Sequence, residues 1–183
     1  MKRVGIVLSL ILGIFLLTGC GMKPTAADAV KDLLNQYRNL SSNVLTDLEK
    51  VIEQEDFNEN QEKVYREVLK KQYSDLKYEI VNETYNADNA IVETKITVYD
   101  FYKVQNDASE YLANNQDKFL DESGEFDNNL FLDYKLDQMK KTTDTVEYTI
   151  NFDVVKNEDG NWEVLTLNQF DLEKIHGIYN YGE

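Results

Sequence analysis

Cysteine, histidine, tryptophan and proline each occur once in the 183 residues. A lone cysteine, Cys20, permits no internal disulfide. With His176 as the one histidine, no Cys/His set at metal-ligand spacing exists, and a zinc centre is excluded. No glycine-rich phosphate loop and no nucleophile elbow occurs, so nothing calls for a nucleotide or any other cofactor. Positive charge is scarce: 19 Lys and Arg stand against 34 Asp and Glu, a net charge of −15. Such a body repels polyanions, which excludes nucleic acid as a partner. The acidic turns at 121–125 and 157–161 lack the alternating Asp/Asn ligands and distal Glu of a calcium loop, and read as solvated turns. A catalytic carboxylate pair cannot be argued from spacing, because 34 acids guarantee chance pairs. Long hydrophobic runs are also missing. The longest, Val4 to Leu17, has 14 residues, short of the ~20 that span a bilayer as a helix.

That run has its own meaning. Lys2 and Arg3 precede it and small residues close it, the layout of a secretory signal rather than a membrane span. Its ending, Leu17-Thr18-Gly19-Cys20, resembles the bacterial lipobox. The resemblance implies diacylglyceryl (palmitate-type) modification of the Cys20 thiol, cleavage after Gly19, and a mature protein anchored to the extracytoplasmic face of the cell membrane. Residues 1–19 are then a lipoprotein signal peptide, and 20–24 a lipidated N-terminus with a short tether. Two acyl chains anchor stably where one is marginal. Removing Lys2 and Arg3 with the signal leaves 164 residues carrying 17 cations and 34 acids, a net charge of −17. That length suits a single domain, 25–183, able to bury a core.

Thr25 with Asp28 reads as a capping box. Beyond it Val30, Leu33, Leu34, Tyr37, Leu48 and Ile52 belong to one apolar stripe at spacings of three and four, which predicts a long helix to about Gln54 with a weak point at Ser41-Ser42-Asn43. Asn58 with Gln61 predicts a second cap and helix. The period then changes to two. Leu76, Tyr78 and Ile80, then Val92, Ile96 and Val98, flank the turn residues Asn86 to Asn89 and predict an antiparallel hairpin. Residues 106–142 read as a helical insertion, with a loop around Gly124. The clearest strand follows, with Val146, Tyr148, Ile150, Phe152 and Val154 alternating against polar residues. A turn with Gly160 at positive φ leads to a last strand, Trp162 to Leu167. The tail, with Phe170, Leu172, Ile175, Ile178 and Tyr179, is apolar enough to dock on the body, while His176 reads as a surface residue of that tail.

Helices first and then strand pairs around an insertion predict an α+β fold, with N-terminal helices packed on a curved antiparallel sheet. The run Val154-Val155-Lys156-Asn157-Glu158-Asp159-Gly160-Asn161-Trp162-Glu163-Val164 resembles the ending of NTF2-like (cystatin-like) domains, where a long strand turns through an acidic-glycine loop into a Trp-containing last strand. The resemblance implies a fold that hosts isomerases, dehydratases, ligand binders and interaction modules alike. Tyr78, Tyr99, Tyr102, Tyr134 and Tyr148 fall on or beside the sheet; they either line a ligand pocket or simply cover sheet faces. Cys20 is the one residue assigned a role, lipidation. The expectation is a membrane-anchored, non-catalytic module of the cell envelope binding a small apolar ligand or an envelope protein. The alternative is an isomerase- or dehydratase-type enzyme using a pocket carboxylate and a tyrosine.

Overall fold

A computed structural model describes residues 24–182. Cys20 and the signal segment lie outside the described residues. The chain is α+β. Three helices, α1 (Ala26–Arg38), α2 (Ser42–Glu53) and α3 (Glu59–Asp75), lead into strands β1 (Lys77–Asn86) and β2 (Asn89–Tyr99). Helices α4 (Phe101–Asn114) and α5 (Asn128–Lys141) follow, with a short 3-10 turn, Gln116–Phe119, between them. Strands β3 (Thr145–Lys156) and β4 (Trp162–Val164) and helix α6 (Gln169–His176) complete it. The four strands form one open antiparallel sheet in the order β1-β2-β3-β4.

Both expected caps form. Thr25 N–H donates to Asp28 Oδ2 at 3.0 Å and Asp28 N–H donates to Thr25 Oγ1 at 3.2 Å. Asn58 and Gln61 make the same reciprocal pair at the start of α3. The long first helix is two helices. It ends at Arg38, Leu40 takes φ +50°, and the chain turns into α2 at Ser42. Ser41 N–H donates back to Gln36 O at 3.0 Å, so the Ser/Asn weak point becomes a reversal. This reversal lets α2 fold back against α3, where Glu49 pairs with Arg66 at 2.7 Å.

The hairpin turns through Ala87-Asp88, with Ala87 at φ +53°. A bulge in β1 between Ile80 and Asn82 inverts the alternation beyond it, exposing Val81 and directing Glu83 and Tyr85 to the helix side. There Glu83 Oε2 accepts from Ala27 N–H at 3.0 Å and the Tyr85 hydroxyl accepts from Ala26 N–H at 3.3 Å. These contacts occupy two of the free donors at the α1 N-terminus. The helical insertion starts at Phe101 rather than at 106, because Asp100 caps it by accepting from Lys103 N–H at 2.9 Å. The last strand stops at Val164 instead of Leu167. Leu165 N–H makes a final bond to Asp153 O, and Asn168 then caps α6.

The core lies between the sheet and the helices on one of its faces, built by Val30, Leu34, Leu69, Ile96, Ile150 and Phe152 among others. Every member of this cluster lies within residues 26–175. The opposite sheet face is polar, with Lys95 and Glu147 paired across β2 and β3 at 3.0 Å. Among the described residues no helix is long and apolar enough to cross a membrane. On the buried face of β2 one position breaks the apolar pattern. Thr94 on β2 is fully buried between Ile80 and Ile150 in register, and its hydroxyl has no partner among the described residues. Burying an unpaired hydroxyl costs about 1–3 kcal/mol. Thr94→Val, which keeps the shape and removes the hydroxyl, is expected to stabilise the fold by about 1 kcal/mol, read as a higher urea midpoint at unchanged m-value.

Candidate functional site: a tyrosine–histidine cleft

The expected pocket tyrosines do not converge. The Tyr78 hydroxyl donates to Asn35 Oδ1 at 3.1 Å, and the Tyr99 hydroxyl to Asp75 Oδ2 at 2.7 Å. Tyr134 stacks on Tyr111, with ring centroids 4.7 Å apart, in the α4–α5 region. Tyr102 and Tyr148 pack against Tyr181 in the C-terminal segment, whose hydroxyl donates to Asp100 Oδ2 at 2.7 Å. These are separate structural clusters.

The cleft that does form uses two other tyrosines and the histidine. Tyr73, near the C-terminal end of α3, is buried; its hydroxyl lies 2.9 Å from His176 Nε2 at the end of α6. Tyr37 on α1 meets the Tyr73 ring edge-on at 5.2 Å. Leu33 of α1 with Val44, Leu48 and Val51 of α2 forms one wall, and Val164, Leu165, Leu167 and Leu172 form the other. The cleft is open to solvent on one side and holds about 350 Å³, within the range of small-molecule sites. Among the described residues Asp47 is the one charged residue in the lining, and it is bonded to Lys50 at 2.7 Å.

His176 is not a surface residue of a loose tail. The apolar tail docks as expected, with Ile175 fully buried, and this carries the imidazole inward to a half-buried position. Gln72, fully buried on α3, bonds both backbone groups of Tyr99 at 2.8 and 3.2 Å and reaches Ile175 O, joining α3, β2 and α6. Burial lowers the His176 pKa to about 4, because the imidazolium would lose its hydration. Burial also raises the Tyr73 pKa well above the ordinary phenol value. The Tyr73 hydroxyl has no other partner among the described residues; we assign it as the donor to Nε2, the arrangement that uses its hydrogen, which places the imidazole proton on Nδ1.

The carboxylates with displaced pKa values behave oppositely to a general acid. Asp28, Glu49, Glu67, Asp75 and Asp121 all move down, held by hydrogen bonds from their neighbours. Asp75 and Tyr99 line a second, more polar groove of about 320 Å³ at the opposite end of the hairpin from its turn. The Asp75 carboxylate there is committed to the Tyr99 hydroxyl and Lys71. In the two acidic turns, Asp121 Oδ1 accepts from Ser123 and Glu125, and Asn157 Oδ1 from Asp159 and Asn161. Among the described residues no group of three or more His, Cys, Asp or Glu is placed to hold a metal ion. Comparison with family models, with curated proteins and with solved structures gives no match to this chain.

Proposed function

We propose that this protein is a lipid-anchored, extracytoplasmic binding module of the cell envelope, with an NTF2-like fold, working through the Tyr73–His176 cleft without turning a substrate over. The observation that carries this reading is the chemistry of the cleft. Its walls are mostly apolar, with the hydroxyls of Tyr37 and Thr166 among them, and its one imidazole, with a pKa of about 4, is neutral at pH 7 and a weak base. The lipobox-like Leu17-Thr18-Gly19-Cys20 supports the anchor. A folded body capped at Thr25, a few residues beyond Cys20, suits a surface-tethered domain. The α+β order and the hairpin β3–β4, with Gly160 at φ +79° and Trp162 packed on the core, support the NTF2-like assignment.

Two experiments test the reading. In cells fed an alkyne-tagged palmitate analogue, the wild-type protein is expected to take up label and to sediment with membranes. Cys20→Ala is expected to abolish labelling and signal cleavage; labelled Cys20→Ala would end the anchored reading. The domain lacking residues 1–20 keeps every core residue and is expected to gain thermal stability in an extract of envelopes from the producing cell. Val51→Trp, which fills the cleft from a half-buried position, is expected to remove that gain. An equal gain in both proteins would overturn the cleft as the working site.

A further inference from the structure

The cleft differs from a generic apolar groove in how its polar atoms are spent. The Tyr73 hydroxyl spends its hydrogen bond on His176 Nε2, and the Nδ1–H of that neutral tautomer has no protein partner among the described residues. Nδ1 is also absent from the buried atoms that lack a partner, so it is not sealed in the core, and His176 is one of the residues that line the cleft. Among the described residues no Lys or Arg lines the space, and Asp47 is already bonded to Lys50. An anion entering the cleft would meet a carboxylate and no cation. A cation would meet only the Asp47 carboxylate, which is exposed and already shares one oxygen with Lys50. Desolvating either kind of charge between Leu33, Leu48, Val51, Leu167 and Leu172 is costly.

Resting on the binding-module reading, we propose that the cleft takes a small uncharged ligand: an apolar body ending in one hydrogen-bond acceptor, such as a ketone, ester or amide carbonyl, which receives the His176 Nδ1–H. The walls select the body by area, and the imidazole selects the end group. Tyr73 is a positioning residue, because its hydroxyl fixes the tautomer that leaves the donor at Nδ1.

The test uses the domain lacking residues 1–20 and four probes of similar size: benzylacetone (ketone), butylbenzene (hydrocarbon), hydrocinnamate (anion) and phenylpropylamine (cation). Binding is followed by NMR shifts of Leu48, Leu167, Leu172 and the His176 ring. Benzylacetone is expected to shift all four residues and to bind about fivefold more tightly than butylbenzene, the increment of one neutral hydrogen bond. Hydrocinnamate and phenylpropylamine are expected to bind at least about tenfold more weakly than the ketone, given the cost of burying an unpaired charge. In His176→Phe the ketone and the hydrocarbon are expected to bind equally. His176→Gln, which keeps an acceptor for Tyr73 and an N–H donor, is expected to restore part of the difference. Tighter binding of either ion, or a ketone preference that survives in His176→Phe, overturns the ligand class. Failure of all four probes to shift the wall residues also overturns it. That failure, accompanied by a stability gain in envelope extract that Val51→Trp abolishes, would sink this ligand class and leave the binding module standing; absence of both would sink the two together.

Discussion

Gly177→Ala is expected to destabilise the protein by more than about 3 kcal/mol, far beyond the loss usual for this substitution. Gly177 closes α6 at φ +73°, a region that costs an L-residue about 1 kcal/mol or more by itself. The larger part is steric. A Cβ at this position would fall 2.1 Å from Tyr99 O and 2.4 Å from Gln72 Nε2. Neither neighbour has room to yield. Tyr99 O belongs to the end of β2, and Gln72 is fully buried and held by both backbone groups of Tyr99. Gly177 O in turn accepts from Tyr102 N–H at 2.8 Å, so the backbone is fixed on its other side too. The relief available is to lift α6 off α3, which separates His176 from Tyr73 and opens the cleft. Gly160→Ala is the matched control, because Gly160 has a similar φ of +79° and nothing within 4 Å of an added Cβ. Its expected loss is about 1 kcal/mol. Urea unfolding of the two variants separates strain from overlap. Equal losses would mean that the tail does not pack on Tyr99 and Gln72 as described.

Most of this fold is legible because its signals are local. Thr25/Asp28 and Asn58/Gln61 are readable as capping boxes from a spacing of three, and the alternation in β3 needs only neighbouring residues. The break after Arg38 is visible as a Ser/Asn weak point, although its depth is not: the left-handed Leu40 is stabilised by packing with distant residues. The bulge at Val81 has no local mark. It follows from the need to bring Glu83 and Tyr85 to the bare amides at the start of α1, more than fifty residues earlier in the chain. The cleft is non-local in the same way. Tyr73 and His176 are separated by 103 residues and meet because α6 docks on α3. In sequence Tyr37 and Tyr73 are members of helical apolar faces, and His176 is a polar residue in a tail. The available hint was the apolar company of His176, with Leu172 and Ile175 before it and Ile178 and Tyr179 after it, which marks a docked segment rather than a free one.

Acidification from pH 7 to pH 4 is expected to lower the stability of the folded protein by up to about 3 kcal/mol through His176 alone. The folded-state pKa is about 4, below the ordinary value of 6.5 that the unfolded chain displays. Between these values the unfolded state binds the extra proton, so stability rises with pH across the window and falls as pH drops through it. Two and a half pK units at about 1.4 kcal/mol each set the ceiling. The carboxylates with lowered pKa values act in the same direction, but lower on the scale. Asp28, Glu49 and Asp75 contribute stability above the ordinary carboxylate range and lose it as pH falls through their depressed folded values. The interval from pH 6.5 to about 4.5 therefore belongs chiefly to the imidazole. His176→Phe is expected to start from a lower stability, because Tyr73 loses its acceptor, and to be nearly flat over that interval. A wild-type protein equally flat there would show that the imidazole is hydrated. The same titration bears on the cleft. Protonation puts a hydrogen on Nε2, removes the acceptor that Tyr73 uses, and places a positive charge among the leucines. The acid limb of stability reports proton uptake by the unfolded chain above the folded-state pKa, whereas the neutral ligand site is lost only as pH falls through about 4, where the folded imidazole itself takes the proton. Ligand binding to the folded protein should therefore hold across the interval in which stability declines.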